Sequence, residues 1–197
     1  MKVVLASSNA GKIREFKALL HAVPVTLIPQ AELGVTDVAE TGLTFIENAL
    51  IKARHAACET GLPALSDDSG IAVRALKGAP GIYSARYAGV GASAKDNIQK
   101  LLTDMKNIAD ENRQASFHCI LAFMRHDQDP TPLLCDGEWT GLILRQPQGQ
   151  GGHGYDPVFY VPEENKTAAE LPCHRKNTLS HRGKAFKQLL AKLSDTL

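Results

Sequence analysis

The sequence lacks the patterns that mark several large classes of protein. Its four cysteines include no C-x-x-C pair, so the spacing typical of zinc sites and of thioredoxin-like redox centres is absent. No apolar run approaches the length of a membrane span, and the apolar run at the N-terminus is too short for a signal-peptide core. We therefore expect a cytoplasmic protein with reduced thiols and no membrane partner.

A surplus of charge of either sign is also missing. The chain has 22 lysines and arginines against 21 aspartates and glutamates, which makes a formal net charge of +1. Proteins that track a nucleic-acid backbone need a broad positive surface, so nucleic acid is not an expected partner. A small phosphate ligand needs only a local positive cluster, which a near-neutral total can contain.

Neither an internal repeat nor a low-complexity linker divides the 197 residues, so we expect one domain, or two lobes that share one core. Strand-like and helical patterns alternate, which favours an α/β fold with a mixed sheet flanked by helices. Helices are expected from about Lys12, over 44–60 with Thr44 as N-cap and Ile46 facing inward, around 98–105, and over 179–193. The expected strands are 3–6, 25–28, 63–66, 71–76, 116–125, 133–139, 142–145 and 157–161.

The first candidate site lies between the first strand and the first helix and consists of Ser7, Ser8, Asn9, Ala10, Gly11 and Lys12. Free backbone N–H groups and the positive end of the helix dipole converge at such a position and suit a phosphate. The segment is not a Walker A motif, because Ala6 and Ile13 stand where that motif needs glycine and Ser or Thr. On its own, it fits an ordinary capped helix start with an exposed lysine better than a phosphate site.

Carboxylates form the second candidate. Glu40 precedes the second helix, and Asp67 and Asp68 begin the segment Asp67–Gly70, which is predicted to be a turn between two strands. Mg²⁺ binds one or two carboxylates together with substrate phosphate oxygens and water, and a carboxylate beside it can deprotonate an attacking water. A solvated turn without a ligand is the simpler interpretation of this segment alone.

Two further segments suit a flat ring. Three glycines in 151–154 let the backbone approach a ring closely, and His153 or Tyr155 offers a stacking face. Lys176 and Ser180–Arg182 bring basic side chains and N–H donors near the start of the last helix. Each segment alone also fits an ordinary structure, a hairpin loop in the first case and a solvated helix end in the second.

All the candidates except Lys176 lie in five of the following six blocks, and the fourth block contains none of them: LASSNAGKIREF, ETGLTFIENALIKARHAA, LSDDSGIAV, GAPGIYSARYAG, GGHGYDPVF and SHRGKA. In this order the blocks resemble the inosine triphosphate pyrophosphatase family, also called non-canonical purine NTP pyrophosphatases. The resemblance runs from Leu5 to Gly183, and six ordered blocks are far more specific than any one of them. It implies an elongated α/β fold of two lobes with a cleft between them, a homodimer, and Mg²⁺-dependent hydrolysis of ITP, dITP or XTP to the monophosphate and pyrophosphate.

The resemblance also implies roles for the matching residues. The triphosphate would be bound by Ser7, Ser8, Asn9, Ala10, Gly11, Lys12 and Lys52. Glu40 and Asp68 would hold Mg²⁺, with Asp68 also the catalytic base, Glu47 supporting the metal site and Ser69 contacting the substrate. The base would be recognised by His153, Gly154, Tyr155, Asp156, Lys176, His181 and Arg182. A cation is expected to keep the pKa of Asp68 low. Donors such as Lys176 are expected to favour the six-carbonyl of hypoxanthine and xanthine over the amine of adenine.

The match to the family pattern is not complete. Position 8 is often glycine and position 153 commonly phenylalanine in the family, whereas this chain has Ser8 and His153, and the residues before Lys176 are His174 and Arg175 where acidic residues are frequent. A pyrophosphatase that prefers pyrimidine or canonical triphosphates is one alternative function. A regulatory module that binds nucleotides without hydrolysis is another.

Overall fold

The computed structural model describes residues 1–20 and 24–194. Within these ranges the chain forms five α-helices: α1 Ala10–Leu19, α2 Phe45–Thr60, α3 Ala94–Asp104, α4 Cys173–Leu179 and α5 His181–Ser194. The seven strands are β1 Lys2–Ala6, β2 Thr26–Pro29, β3 Ala64–Val73, β4 Gln114–Met124, β5 Leu133–Ile143, β6 Phe159–Val161 and β7 Lys166–Thr167. None of the helices in these ranges is long and apolar enough to span a bilayer.

The strands form one sheet in the order β2-β1-β3-β4-β5-β6-β7. β1 runs parallel to both β2 and β3, and β6 runs antiparallel to β5 and β7. Parallel neighbours need long crossover connections, and α1 and α2 lie in those that follow β1 and β2. The predicted α/β fold with a mixed sheet is confirmed.

The turn predicted at Asp67–Gly70 is wrong, because β3 continues without interruption from Ala64 to Val73. The segment has the composition of a turn, yet Asp67 is only 2% and Asp68 only 6% exposed. Each carboxylate is paired with a lysine from another element. Long-range ion pairs therefore take the place of the water that would solvate a turn.

Several predicted boundaries also differ from the structure. The segments 133–139 and 142–145 are one strand, β5, and the first helix begins at Ala10 because Asn9 caps it. β6 begins at Phe159 and not at 157, since 156–158 forms a turn of 3-10 helix. The sequence did not predict α4 or β7. Thr44 is the N-cap of α2 as expected. Ile46 is 44% exposed, so the prediction that it faces inward is wrong.

Contacts divide the chain into two compact units, and unit 1 comprises residues 1–68, 119–137 and 182–194 of those described. Successive strand residues point to opposite faces of a sheet, and both faces are apolar here. On one face Leu65 packs with Phe16 of α1 and Phe186 of α5, and on the other Ala64 packs with Ala56 and Ala57 of α2. Helices therefore cover both faces of the unit 1 strands.

Unit 2 comprises residues 69–118 and 138–181. Its core contains Phe117, Trp139 and Phe159, and the ring of Phe159 lies 4.6 Å from that of Phe117 and 5.2 Å from that of Trp139. Ile71 and Leu101 are fully buried in the same cluster. The expected cleft between two lobes stays a prediction.

Candidate active site

The loop between β1 and α1 is a capped helix start whose backbone is ordered by its own side chains. Asn9 is the N-cap, and its Oδ1 accepts hydrogen bonds from the N–H groups of Gly11 at 2.9 Å and Lys12 at 3.1 Å. Ser7 Oγ accepts from the N–H of Asn9 at 3.2 Å, and Ala10 is the first helical residue. The N–H groups at this helix start lie where an anion is stabilised by the helix dipole.

Ser8 makes a contact that the sequence did not predict. Its hydroxyl donates to Oδ2 of Asp37 at 2.6 Å, and Oδ1 of the same carboxylate accepts from Nε2 of Gln30 at 2.5 Å. The hydroxyl of Ser8 is thus already engaged, and a hydrogen bond from it to a phosphate requires that it leave Asp37.

The two aspartates of β3 point to opposite faces of the strand, as the alternation of strand side chains requires. Asp67 faces α1 and α5, where it forms ion pairs with Lys12 and Arg182. Asp68 faces α2, where Lys52 Nζ donates to its Oδ1 at 2.7 Å. One Asp-Asp dipeptide therefore supplies a carboxylate to each side of the sheet.

Asp67 is the centre of a buried charge network. Its Oδ2 accepts from Nε of Arg182 at 3.2 Å and from Nη2 at 3.1 Å, while Lys12 binds its Oδ1 and Nη1 of Arg182 binds Glu15. Burial alone would raise the pKa of Asp67, but the positive charges of Lys12 and Arg182 outweigh it and hold that pKa far below its ordinary value. Burial would lower the pKa of Arg182, and Asp67 raises it instead. This network stays ionised.

On the other face, Lys52 joins the two carboxylates predicted to bind a metal. Its ammonium group donates to Oε1 of Glu40 at 2.7 Å and to Oδ1 of Asp68 at 2.7 Å, so the two oxygens lie within two hydrogen-bond lengths of each other. Burial raises the pKa of Asp68, and Lys52 only partly offsets it. Burial would lower the pKa of Lys52, but the charges of Asp68 and Asp67 raise it.

The donors around Lys52 fit a magnesium ion that is shared with a ligand. Glu40 and Asp68 supply the hard oxygen atoms that Mg²⁺ prefers, and Oδ2 of Asp68 is buried with no hydrogen-bond partner in the described part of the chain. Within residues 1–20 and 24–194, no group of three His, Cys, Asp or Glu side chains forms a complete metal site. Magnesium sites built from one or two carboxylates are normally completed by substrate phosphates and water.

Glu47 lies at the start of α2. Its Oε2 accepts from the N–H of Leu43 at 2.8 Å and from the hydroxyl of Thr44 at 2.9 Å. These hydrogen bonds lower the pKa of Glu47, with the Thr44 hydroxyl contributing most. These contacts show that Glu47 caps the start of α2. The predicted role of Glu47 in supporting a metal site stays a prediction.

In unit 2, Asp156 connects two of the segments predicted to recognise a base. Its Oδ2 accepts from Nζ of Lys176 at 2.5 Å and from the N–H of His153 at 2.7 Å. Gly154 has a φ of +61°, a value that favours glycine and permits the tight turn here. The hydroxyl of Tyr155 donates to the carbonyl of Ser84 at 2.8 Å, so this ring is anchored in the core.

The remaining predicted residues are divided between the units. The ring of His181 stacks on that of Phe117, with centroids 4.8 Å apart, and Ser69 is a half-buried residue of β3. Arg182 belongs to unit 1, where its guanidinium binds Asp67 and Glu15. A hydrogen bond from its side chain to a base would compete with these carboxylates, so its role in base recognition stays a prediction.

Sequence reasoning named Asp67 among the candidate carboxylates but gave it no separate role, and it assigned none to Glu15 or Asp37. A local signal existed for Glu15, which follows Lys12 by three residues and so shares a face of α1 with it. The ion pair of Asp67 with Arg182 spans 115 positions, and no local pattern predicts such a contact.

Comparisons with known proteins show which family the chain resembles in sequence and in fold. The sequence model of the Ham1 family matches residues 3–192. The dITP/XTP pyrophosphatase of Escherichia coli strain K12 is 58% identical over 189 residues, which cover 96% of each chain, and that of Yersinia pestis is 58% identical over 194 residues, or 98% of each. A HAM1 protein structure from Coxiella burnetii has a TM-score of 0.93 at 51% identity and covers 99% of both chains. The Staphylococcus aureus Ham1 structure has a TM-score of 0.89 at 40% identity.

Proposed function

The chain belongs to the Ham1 family, and from this premise we propose that it hydrolyses dITP, ITP and XTP to the nucleoside monophosphate and pyrophosphate. It is then a hydrolase of acid-anhydride bonds that removes non-canonical purines from the nucleotide pool. The observation that best supports this proposal is the pair of carboxylates held on one lysine, Glu40 and Asp68 on Lys52. Two curated relatives named dITP/XTP pyrophosphatase match nearly the whole chain.

The triphosphate is proposed to bind the helix start and the nearby lysines. The N–H groups at the start of α1 lie at the positive end of the helix dipole, and Ser7, Ser8 and Asn9 add polar side chains. Lys12 and Lys52 add two positive charges. Both ammonium groups are paired with carboxylates, so their charge is already positioned by the protein before a ligand binds.

Mg²⁺ is the proposed cofactor, held by Glu40 and Asp68. When bound, it supplies positive charge that neutralises the phosphate oxygens and favours the ionised form of Asp68. The ammonium of Lys52 lies against the carboxylates of Glu40 and Asp68 in this structure. A bound cation would neutralise these carboxylates in its place, and Lys52 is proposed to shift toward the phosphates.

Asp68 is proposed to accept the proton of the attacking water. The water oxygen forms a bond to the α-phosphorus, the bond from that phosphorus to the bridging oxygen breaks, and pyrophosphate leaves with its electron pair. Positioning and charge neutralisation supply most of the catalysis in such transfers. Burial raises the pKa of Asp68 in the metal-free chain, and a bound Mg²⁺ would lower it, so that Asp68 would be ionised and able to accept the proton.

Selectivity is proposed to come from Lys176 and its neighbours in unit 2. Asp156 orients the ammonium of Lys176 at 2.5 Å, and this donor can form a hydrogen bond to the six-carbonyl of hypoxanthine or xanthine. The amine of adenine would present a second donor to this ammonium in place of an acceptor, which is the kind of mismatch that sites reject strongly. We further propose that the enzyme is a cytoplasmic homodimer.

The proposal is tested by incubating the purified chain with ITP, dITP, XTP, ATP, GTP, dTTP and UTP in the presence of Mg²⁺ and identifying the products. We expect the monophosphate and pyrophosphate from ITP, dITP and XTP, with little turnover of the others. Guanine also carries the six-carbonyl, so the rejection of GTP must involve its two-amino group and not Lys176. A preference for dTTP or UTP would overturn the proposed substrate class, and release of phosphate instead of pyrophosphate would overturn the proposed bond cleavage. Omission of Mg²⁺ should abolish turnover.

A further inference from the structure

Asn48 is a fully buried polar residue to which the proposed chemistry assigns no role. It lies on α2 one turn before Lys52, so the two side chains share a face of the helix. Its Oδ1 accepts from the N–H of Gly42 at 2.8 Å, and its Nδ2 is buried with no hydrogen-bond partner in the described part of the chain. The contact that this amide does make is with the segment that carries Glu40.

Gly42 packs directly against the start of α2. A Cβ atom at this position would lie 2.5 Å from the Cβ of Glu47 and 2.7 Å from Oδ1 of Asn48, distances at which something must shift. Glycine therefore lets the segment lie on the helix, and the hydrogen bond to Asn48 holds it there. Glu40 precedes Gly42 by two residues and reaches Lys52 from this segment.

The same part of α2 also holds the strand that carries the second carboxylate. The hydroxyl of the buried Ser66 donates to the carbonyl of Ala49 at 2.6 Å. Asp68 follows Ser66 by two residues and therefore points to the same face of β3. Two adjacent residues of α2 thus hold the two carboxylates in place: Asn48 binds the segment of Glu40, and Ala49 binds the strand of Asp68.

We propose that Asn48 is a positioning residue that fixes Glu40 relative to Asp68, so that both carboxylates bind one Mg²⁺. The inference rests on the proposed function, which assigns these two carboxylates to the metal. Asn48 acts through the backbone of Gly42 and contacts neither the metal nor the substrate. Its effect is therefore on the affinity for Mg²⁺ and not on the chemical step.

The test is the Asn48→Ala variant with two measurements. Exchange of the Gly42 amide hydrogen, followed by NMR in the metal-free protein, should accelerate at least tenfold, because the acceptor is gone. The Mg²⁺ concentration that gives half-maximal turnover of ITP should rise about five- to tenfold, the effect of one buried hydrogen bond, while kcat at saturating Mg²⁺ changes less than twofold. Asn48→Asp keeps an acceptor at the same place and should retain the protection of Gly42.

Asn97 offers a matched control in unit 2. It is 5% exposed, its Oδ1 accepts from the N–H of Ala88 at 2.8 Å, and its Nδ2 donates to the carbonyl of Ala85 at 3.1 Å. Asn97→Ala therefore also removes a buried amide that holds a loop. It should lower the stability to a similar extent and leave the Mg²⁺ requirement unchanged.

Gly42→Ala perturbs the same contact from the other side, because the added Cβ would clash with Oδ1 of Asn48 and with the Cβ of Glu47, and it should also raise the Mg²⁺ requirement. The positioning role is wrong if Asn48→Ala needs no more Mg²⁺ than Asn97→Ala. Should Asn48→Ala fail to fold, an unchanged Mg²⁺ requirement in Gly42→Ala overturns the inference. If Glu40→Gln itself leaves the requirement unchanged, the metal assignment of the proposed function fails instead.

Discussion

Replacement of Asp67 by asparagine tests whether the buried charge network stabilises unit 1. The side chain of Asp67 is 1% exposed, and its cationic partners Lys12 and Arg182 are 18% and 4% exposed. Asparagine keeps the shape of the side chain, removes the charge and replaces one accepting oxygen by a donor NH₂ group. Arg182 then retains Glu15 alone as its carboxylate partner among the ion pairs described here, and Lys12 loses the carboxylate that neutralises it.

The expected loss follows from the cost of leaving a buried charge without its partner. Breaking such a pair from one side costs about 3–5 kcal/mol, because the remaining charge stays desolvated. For a protein of about 200 residues, each kcal/mol lowers Tm by about 2–4 °C. We therefore expect Asp67→Asn to lower Tm by roughly 6–20 °C.

Tm is measured by calorimetry and the free energy of unfolding by urea titration, for Asp67→Asn and for the control variant Asp110→Asn. Asp110 forms an ion pair with Arg145 in which the side chains are 76% and 52% exposed, and exposed pairs contribute at most about 1 kcal/mol. Asp110→Asn should therefore change Tm by only a few degrees. If Asp67→Asn loses no more free energy of unfolding than this control, the reasoning about the buried network is refuted.

The same network predicts how the stability depends on pH. The pKa of Asp67 is lowered in the folded chain, so the unfolded chain takes up this proton first as the pH falls. The contribution of Asp67 is complete well above its ordinary pKa of 3.8 and is lost as the pH falls through and below that value. Urea unfolding at pH 6 and pH 3 should show a smaller difference in Asp67→Asn than in the wild type. An equal difference in both proteins would contradict this assignment.

Three further outcomes are expected. Asp68→Asn should lower the turnover of ITP at least about 100-fold while the circular dichroism spectrum is retained, and near-wild-type turnover would exclude Asp68 as the base. Lys176→Met should reduce the preference for ITP over ATP at least about tenfold, whereas Arg175→Met on the same helix should not. Ellman's reagent should modify two thiols quickly in the native chain, Cys58 and Cys173, and all four after denaturation, because the other two are buried with a raised pKa.

Local patterns predicted the parts of the fold whose interactions are local. The N-cap at Thr44 needs only residues of its own helix, and it formed as expected. The loop from Ser7 to Lys12 likewise follows from a buried strand, an Asn cap and a helix start. The position of Ile46 depends on which side of α2 meets the sheet, and the apolar spacing alone assigned it to the wrong side.

The aspartates of β3 show why the rest could not be predicted in this way. Asp-Asp-Ser-Gly has the composition of a turn, yet the segment is a strand, in which Lys12 of α1 and Lys52 of α2 pair with the two buried carboxylates. Neither lysine is near β3 in sequence. The family resemblance supplied a role for Asp68, whereas the structure was needed to find the partners of Asp67.

The two adjacent aspartates also differ in what their surroundings let them do. Asp67 lies between two cations, Lys12 and Arg182, which lower its pKa and hold its carboxylate ionised. Asp68 has one lysine, an Oδ2 atom without a hydrogen-bond partner among the described residues, and a pKa that burial raises. Environments that push the pKa values of neighbouring acids apart assign them different roles. On this ground Asp68 is suited to the proposed role of proton acceptor, and Asp67 is suited to hold Lys12 at the start of α1. Exchanging the two environments, and not merely the two residues, would be needed to exchange these roles.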